Sequence, residues 1–389
     1  MARPKTLPLA TARVEPALGG QAAVDENRYR LWKDMTQVRA LVRERRLEAA
    51  FALCEGILDG DPDAEIIEAL MCPLDADARE LPPGLMYDLL TALKTKPRPR
   101  SMKPWADLMR VNLLERLTRT EDAFLATEAL GKLPGRYGWM RILRGIMLTR
   151  IRFAYKDAEA EFRPVLKTSP RFWKTKAYIA EAALCQGEAA RALKTMDGLI
   201  SDLKGYEAAA ALGWKGELRL WCGDYAGALK DLTESLRGGA HMSMCWRAAC
   251  LYKLGKPDAA LSELDAYLKK WDCDQEGLIW RGEIKRRQGR HKEALQDLDA
   301  AVRLRNSPLW AHINRALVHA ALKDHDAMWA DYYVLPVQVV SFFQWKCKID
   351  IETDRSPEKV RRLLEAILDA GKGLRRNDCY LYPVWMDRP

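Results

Sequence analysis

Trp214, Trp246 and Trp280 stand 32 and 34 residues apart. An indole offers a wide flat face and one N–H donor, which suits gripping an extended peptide or an amphipathic helix. Each is followed at once by a cation, Lys215, Arg247 and Arg281, and Arg315 continues the series. Sixteen residues after each cation comes an acid: Asp231, Glu263, Asp297 and Asp331. A constant separation of that size joins the two helices of one hairpin, so these read as ion pairs that fix helix register. A minority reading gives the arginines to a ligand. In open solvent each pair contributes at most about 1 kcal/mol. A further basic run, Lys285, Arg286, Arg287, Arg290 and Lys292, has the charge to meet a carboxylate or phosphate on a partner. Its plainer reading is a solvated helix face.

Reaction chemistry leaves no comparable trace. The sequence contains no G-x-x-x-x-G-K-[ST] or G-x-G-x-x-G loop to cradle phosphate, no H-E-x-x-H and no G-x-S-x-G elbow. His312, His319 and His325 are seven and six residues apart, which does not make a tight ligand set; they are expected as scattered surface or groove histidines. The nine cysteines form no C-x-x-C pair, and several lie within apolar helical patterns. They read as small buried hydrophobes in a reducing compartment. The expectation is a non-catalytic cytoplasmic protein with no cofactor and no metal. No run of 18 apolar residues occurs, so no membrane insertion is expected. A charged fraction of 30% against 48% hydrophobic residues fits a folded chain rather than a disordered one. The net charge of +9 fits an acidic partner. Nucleic acid is the lesser candidate, because the interleaved aromatic and basic motifs of single-strand readers are missing.

The elements that position these residues recur. Ala-Leu-Lys-Asp-Leu (228–232), Ala-Leu-Ser-Glu-Leu (260–264) and Ala-Leu-Gln-Asp-Leu (294–298) share one pattern, with Ala192 upstream and Met328 downstream in phase. Gly187, Gly223, Gly255 and Gly289 each fall five residues before the aligned alanine, and Lys323 takes that place in the last unit. Seven residues earlier stand Ala180, Gly216, Ala248, Gly282 and Ala316. Small residues let two helices approach closely. The glycine ends the first helix in a left-handed conformation. Apolar residues every three or four positions, such as Leu229, Leu232 and Leu236, give each helix one buried stripe. One hairpin cannot bury both faces, so a row of hairpins must stack.

This pattern resembles the tetratricopeptide repeat family, whose unit is a helix–turn–helix of about 34 residues. The match covers about 170–336 as five units; Gly145, Ala158 and Pro170 suggest a sixth. A further unit is placed at 31–64, with Ala50, Cys54 and Pro62 at its positions 20, 24 and 32. The resemblance implies an all-α, right-handed α-solenoid. It also implies that positions 2, 5, 6, 9, 12 and 13 of each first helix face a concave groove. On that analogy Trp214, Trp246, Trp280 and Asn314 fall at position 6, Glu217 and Glu283 at position 9, and Arg286 and Arg287 at positions 12 and 13. The three indoles would then form a ladder along the groove, or alternatively pack between adjacent first helices as core. The Lys/Asn/Arg set with which some family members clamp a terminal carboxylate is not reproduced, since tryptophan occupies position 6 and only Asn314 fits.

The chain divides accordingly. Residues 1–27 read as a disordered leader, with Arg3, Lys5 and Arg13 before the first acid, Glu15, so that a transit peptide is the alternative. Residues 28–136 form an N-terminal helical region, 137–336 the repeat array, and 337–389 a capping helix with an aromatic tail, Cys379–Trp385. Ser307-Pro308 and Ser356-Pro357 each read as a helix start. The function expected is a scaffold or adaptor binding a peptide or protein segment in a tryptophan-lined groove. The alternatives are an accessory subunit of an enzyme complex docking on a folded partner, and a basic RNA-binding solenoid.

Overall fold

The computed structural model describes residues 44–59, 138–149, 154–168, 173–241, 243–270, 274–303, 309–335, 337–351 and 353–370, with scattered positions between 37 and 126. The expected leader, the aromatic tail, Pro62, Pro170 and the Ser307-Pro308 start lie outside the described residues. Helix α1 (Leu47–Asp59) buries Ala50 and Cys54, and burial pushes the Cys54 thiol up to about 12.

From residue 138 the helices pair as hairpins: α2 (Gly138–Met147) with α3 (Tyr155–Thr168), and α4 (Lys174–Cys185) with α5 (Ala189–Asp202). Next come α6 (Gly205–Trp221) with α7 (Tyr225–Arg237), and α8 (Ser243–Lys253) with α9 (Pro257–Lys270). The row ends with α10 (Gln275–Arg287) and α11 (His291–Arg303), then α12 (Leu309–Ala321) and α13 (His325–Tyr332). Each hairpin packs on the next. The first helices also touch one another in series, α4 on α6, α6 on α8, α8 on α10 and α10 on α12. Contacts that pass from hairpin to neighbour make an α-solenoid, and one apolar core runs through it from Ala177 to Leu368.

The repeat signature has a packing cause at each position. A Cβ on Gly216 would sit 2.6 Å from Leu232 Cγ, and one on Gly282 would sit 2.8 Å from Leu298 Cγ. The first and second helices therefore meet backbone to side chain with no spare room. Position 20 is completely buried throughout, as Ala192, Ala228, Ala260, Ala294 and, in the last unit, the larger Met328. The turn glycines have φ between 77° and 82°. Each turn carries a six-to-one backbone bond, for example Asp224 N–H to Arg219 C=O at 3.0 Å.

Lys323 makes the same turn with φ 62°, closed by Asp324 N–H to His319 C=O at 2.9 Å. A side chain in that region is strained. Lys323→Gly is therefore expected to raise stability by up to about 1 kcal/mol, read as a higher urea midpoint. A lower midpoint would contradict this account of the turn.

The four hairpin ion pairs close as the spacing predicts. Arg281 reaches Asp297 at 2.6 Å, Arg315 reaches Asp331 at 2.6 Å, Lys215 reaches Asp231 at 3.5 Å, and Arg247 pairs with Glu263. The same cations also reach back to the preceding hairpin: Lys215 to Asp197 (2.7 Å), Arg281 to Asp265 (2.8 Å) and Arg315 to Asp299 (2.9 Å). The position that would serve Arg247 this way is held by Thr233. The inner acids are nearly buried while Asp197 and Asp265 are exposed. The energy therefore lies in the inner rung and the outer one adds little. At the start of the array, Glu159 of α3 accepts from Arg191 of α5 at 2.6 and 2.9 Å. Those bonds outweigh burial and, with Gln186 and Arg163, hold the Glu159 carboxyl at about 2.

The C-terminal end is covered by α14 (Val337–Cys347) and α15 (Pro357–Ala370), with α15 starting at Ser356-Pro357 as expected. Its stripe of Val360, Leu363, Leu364, Ile367 and Leu368 is buried, and it packs on α12 and α14. No helix among the described residues is long and apolar enough to cross a membrane.

Candidate partner-binding surface

The first helices α4, α6, α8, α10 and α12 form one layer, and the residues singled out by sequence lie along it. On α6, Trp214, Glu217 and Trp221 are spaced three and four residues apart, so they share one helix face. Trp214 is half-buried and is held edge-on by Trp173 (6.2 Å between ring centres) and by Tyr178 of α4 (5.3 Å). Trp246 of α8 is also half-buried, edge-on to Trp221 at 5.6 Å. Trp280 of α10 differs. It is only 4% exposed, tilted against Trp221 at 6.4 Å, with Lys253 Nζ over its ring at 5.7 Å.

The series is therefore not three equivalent rungs. Trp221 wedges between Trp246 and Trp280, and Trp280 is covered by its neighbours. Sequence reasoning misses Trp221, Tyr178, Trp173 and Lys253. The seven-residue step from Trp214 to Trp221 is the signal available, since it keeps both indoles on one face.

Carboxylates lie within this layer. Glu217 is buried and accepts from Trp221 Nε1 at 3.2 Å. Glu283, 1% exposed, accepts from Trp310 Nε1 (3.3 Å) and Asn314 Nδ2 (3.4 Å). Arg286 Nε donates to Asn314 Oδ1 at 2.9 Å, and its Nη1 donates to Glu365 of α15 at 3.1 Å. Arg287 lies 3.6 Å from Glu365 and 4.0 Å from Glu283. Glu283, Arg286, Arg287 and Asn314 are thus brought together and latched by an acid from the capping helix. Glu365 is 79 residues from Arg286 and leaves no local sequence signal.

Two expectations need correction. The basic run is only partly a solvated face: Arg287, Arg290 and Lys292 are exposed, while two of its members are not. Lys285 and Arg286 are buried, and Lys285 donates to Asp297 at 2.8 Å while Arg286 turns to Asn314 and Glu365. Successive helical residues point about 100° apart, so one run feeds two networks. His312 is not a surface or groove residue either. It is 4% exposed and bonds Asp331 at 2.7 Å, beside Arg315. Burial would raise the Asp331 carboxyl, but hydrogen bonds from His312 and Arg315 prevail and hold it below the usual range. Among the described residues no group of three or more His, Cys, Asp or Glu is placed to hold a metal.

The tetratricopeptide repeat family model matches residues 248–309. No curated protein matches the chain. Similar solved structures include a tetratricopeptide repeat protein from Parabacteroides merdae, 12% identical, covering 68% of this chain and 93% of that one at a TM-score of 0.43. A thermophilic TPR protein of Thermus thermophilus is 20% identical, covering 51% of this chain and 98% of that one at 0.38. The human IFIT1 dimer with m7Gppp-AAAA is 17% identical, covering 80% of this chain and 78% of that one at 0.45.

Proposed function

Because the chain belongs to the tetratricopeptide repeat family, we propose that it is a non-catalytic adaptor holding a peptide or protein segment against the layer of first helices. The observation that carries this reading is the state of Trp214 and Trp246. Both indoles keep part of their surface in solvent while aromatic neighbours fix their orientation. Rigid, partly exposed aromatic rings are what a binding surface offers at low entropy cost. Glu217 shares the helix face of Trp214, and the proposed surface continues along α10 and α12 through Glu283, Arg286, Arg287 and Asn314, with Trp280 buried against Trp221.

A second reading has its own support at the opposite end. Trp345 of α14 is 76% exposed and Tyr333 is 62% exposed, with Trp329 stacked on Tyr333 at 5.6 Å. That group suits flat docking on a folded partner. Affinity capture by the full chain, with nuclease treatment as control, separates the two. Trp246→Ala is expected to lose the partner with the melting temperature nearly held, while Tyr333→Ala with Trp345→Ala retains it. The opposite pattern would install the docking reading.

A further inference from the structure

We infer that Glu365 of α15 holds the place of an acidic side chain of the partner: it closes the C-terminal end of the first-helix layer, at Arg286 and Arg287, until an acidic segment of the partner displaces it. This deepens the adaptor reading and rests on it.

Four observations carry the inference. First, the layer already binds a carboxylate brought by another helix. Glu365 Oε1 accepts from Arg286 Nη1 at 3.1 Å, and its Oε2 lies 3.6 Å from Arg287 Nη2. The contact passes over Asn314 of α12, which accepts from Arg286 Nε at 2.9 Å. Planar guanidinium groups are suited to hold a carboxylate in this way. Second, the site has one donor more than the chain uses. Arg286 Nη2 is buried and finds no acceptor among the described residues. A buried donor is seldom left so. Third, the other carboxylate at this place, Glu283, already accepts from Trp310 and Asn314 and stands 4.0 Å from Arg287. Removing the charge of Glu365 takes one negative charge from the cluster and leaves both guanidiniums in place. Fourth, Glu365 can move without unfolding the cap. Its side chain is 29% exposed, whereas α15 is held on α12 and α14 by Val360, Leu363, Leu364, Ile367 and Leu368. Rotation of one side chain opens the place, and a partly exposed ion pair contributes little to folding. The net charge of +9 favours the approach of an acidic segment.

The probe is hexaglutamate, titrated into the full chain and read by calorimetry, with hexalysine as the control. Glu365→Gln is expected to bind hexaglutamate about tenfold or more tighter than the native chain. Glutamine keeps an acceptor for Arg286, so only the charge is removed. Glu365→Asp keeps the charge on a shorter arm and is expected to give a smaller gain, which decides the matter if Glu365→Gln does not fold. Glu358→Gln removes an exposed acid at the other end of α15 and is expected to give no gain. Adding Arg287→Gln to Glu365→Gln is expected to cancel the gain, and hexalysine should show none. The inference is overturned if folded Glu365→Gln, or Glu365→Asp in its stead, brings no gain. It is also overturned if Glu358→Gln gains equally, or if the gain survives Arg287→Gln. An oligonucleotide that gains from Glu365→Gln where hexaglutamate does not would overturn it as well. A captured partner that requires Trp246, with no gain from Glu365→Gln, would leave the adaptor reading standing and remove the stand-in. A clear gain beside a partner indifferent to Trp246 would do the reverse.

Discussion

Trp280→Ala is expected to cost about 3–5 kcal/mol of stability, the range for removing a large buried aromatic side chain. Trp246→Ala is expected to cost roughly 1–2 kcal/mol, since part of its surface is already in water. The difference follows from what covers each ring. Trp280 has Trp221 on one side and Lys253 above it, and almost nothing of it meets solvent. Trp246 rests edge-on against Trp221 and stays partly open to water. Truncating Trp280 also loosens Trp221, and with it the orientation of Trp246. Binding should therefore suffer in both variants, but stability mainly in one. Urea denaturation of the full chain followed by circular dichroism reads this, fitted as a repeat array that unfolds in more than one step. Equal midpoint shifts for the two variants would contradict the assignment of Trp280 as support and Trp246 as surface.

Asp331→Ala is expected to cost about 3 kcal/mol, because it leaves a buried imidazole and a part-buried guanidinium without their shared acceptor. Asp331 is 2% exposed, receives His312 and two bonds from Arg315, and ties α12 to α13. Arg315 keeps Asp299, so the outer rung survives and the loss reads the inner one. The sign of the pH dependence follows from the lowered carboxyl. Stability from Asp331 is present above the ordinary carboxylate range and fades as pH falls through its lower folded value. The gap in stability between the native chain and Asp331→Asn should therefore narrow as the solution is acidified. A constant gap would mean that the network is not held by the ionised carboxylate.

The parts of this architecture that a reader of the sequence can see are those set by local, repeated constraints. Gly216 and Gly282 are required by a side chain about sixteen residues away in the same hairpin, and the requirement for a small residue there recurs from unit to unit. The pairing of Arg281 with Asp297 is legible for the same reason, through its constant spacing. Its second partner, Asp265, escapes such reading because that contact depends on how two hairpins stack. The unequal fates of Trp214 and Trp280 are hidden too. They hold the same repeat position, but Trp280 is covered by an indole and a lysine while Trp214 meets aromatic edges and solvent. Lys285 and Arg286 read as solvated in a string of letters, yet the helix turns each toward a buried acceptor. Glu365 reaches Arg286 only because the capping helix folds back on α12, which no short-range pattern announces.

The surface assigned to partner binding is open to one direct measurement, hydroxyl-radical footprinting of the full chain with and without its captured partner. Tryptophan oxidises readily, so the indoles themselves report. Protection of Trp214 and Trp246, with Tyr333 and Trp345 unchanged, is the predicted result. Protection confined to Tyr333 and Trp345 would contradict it.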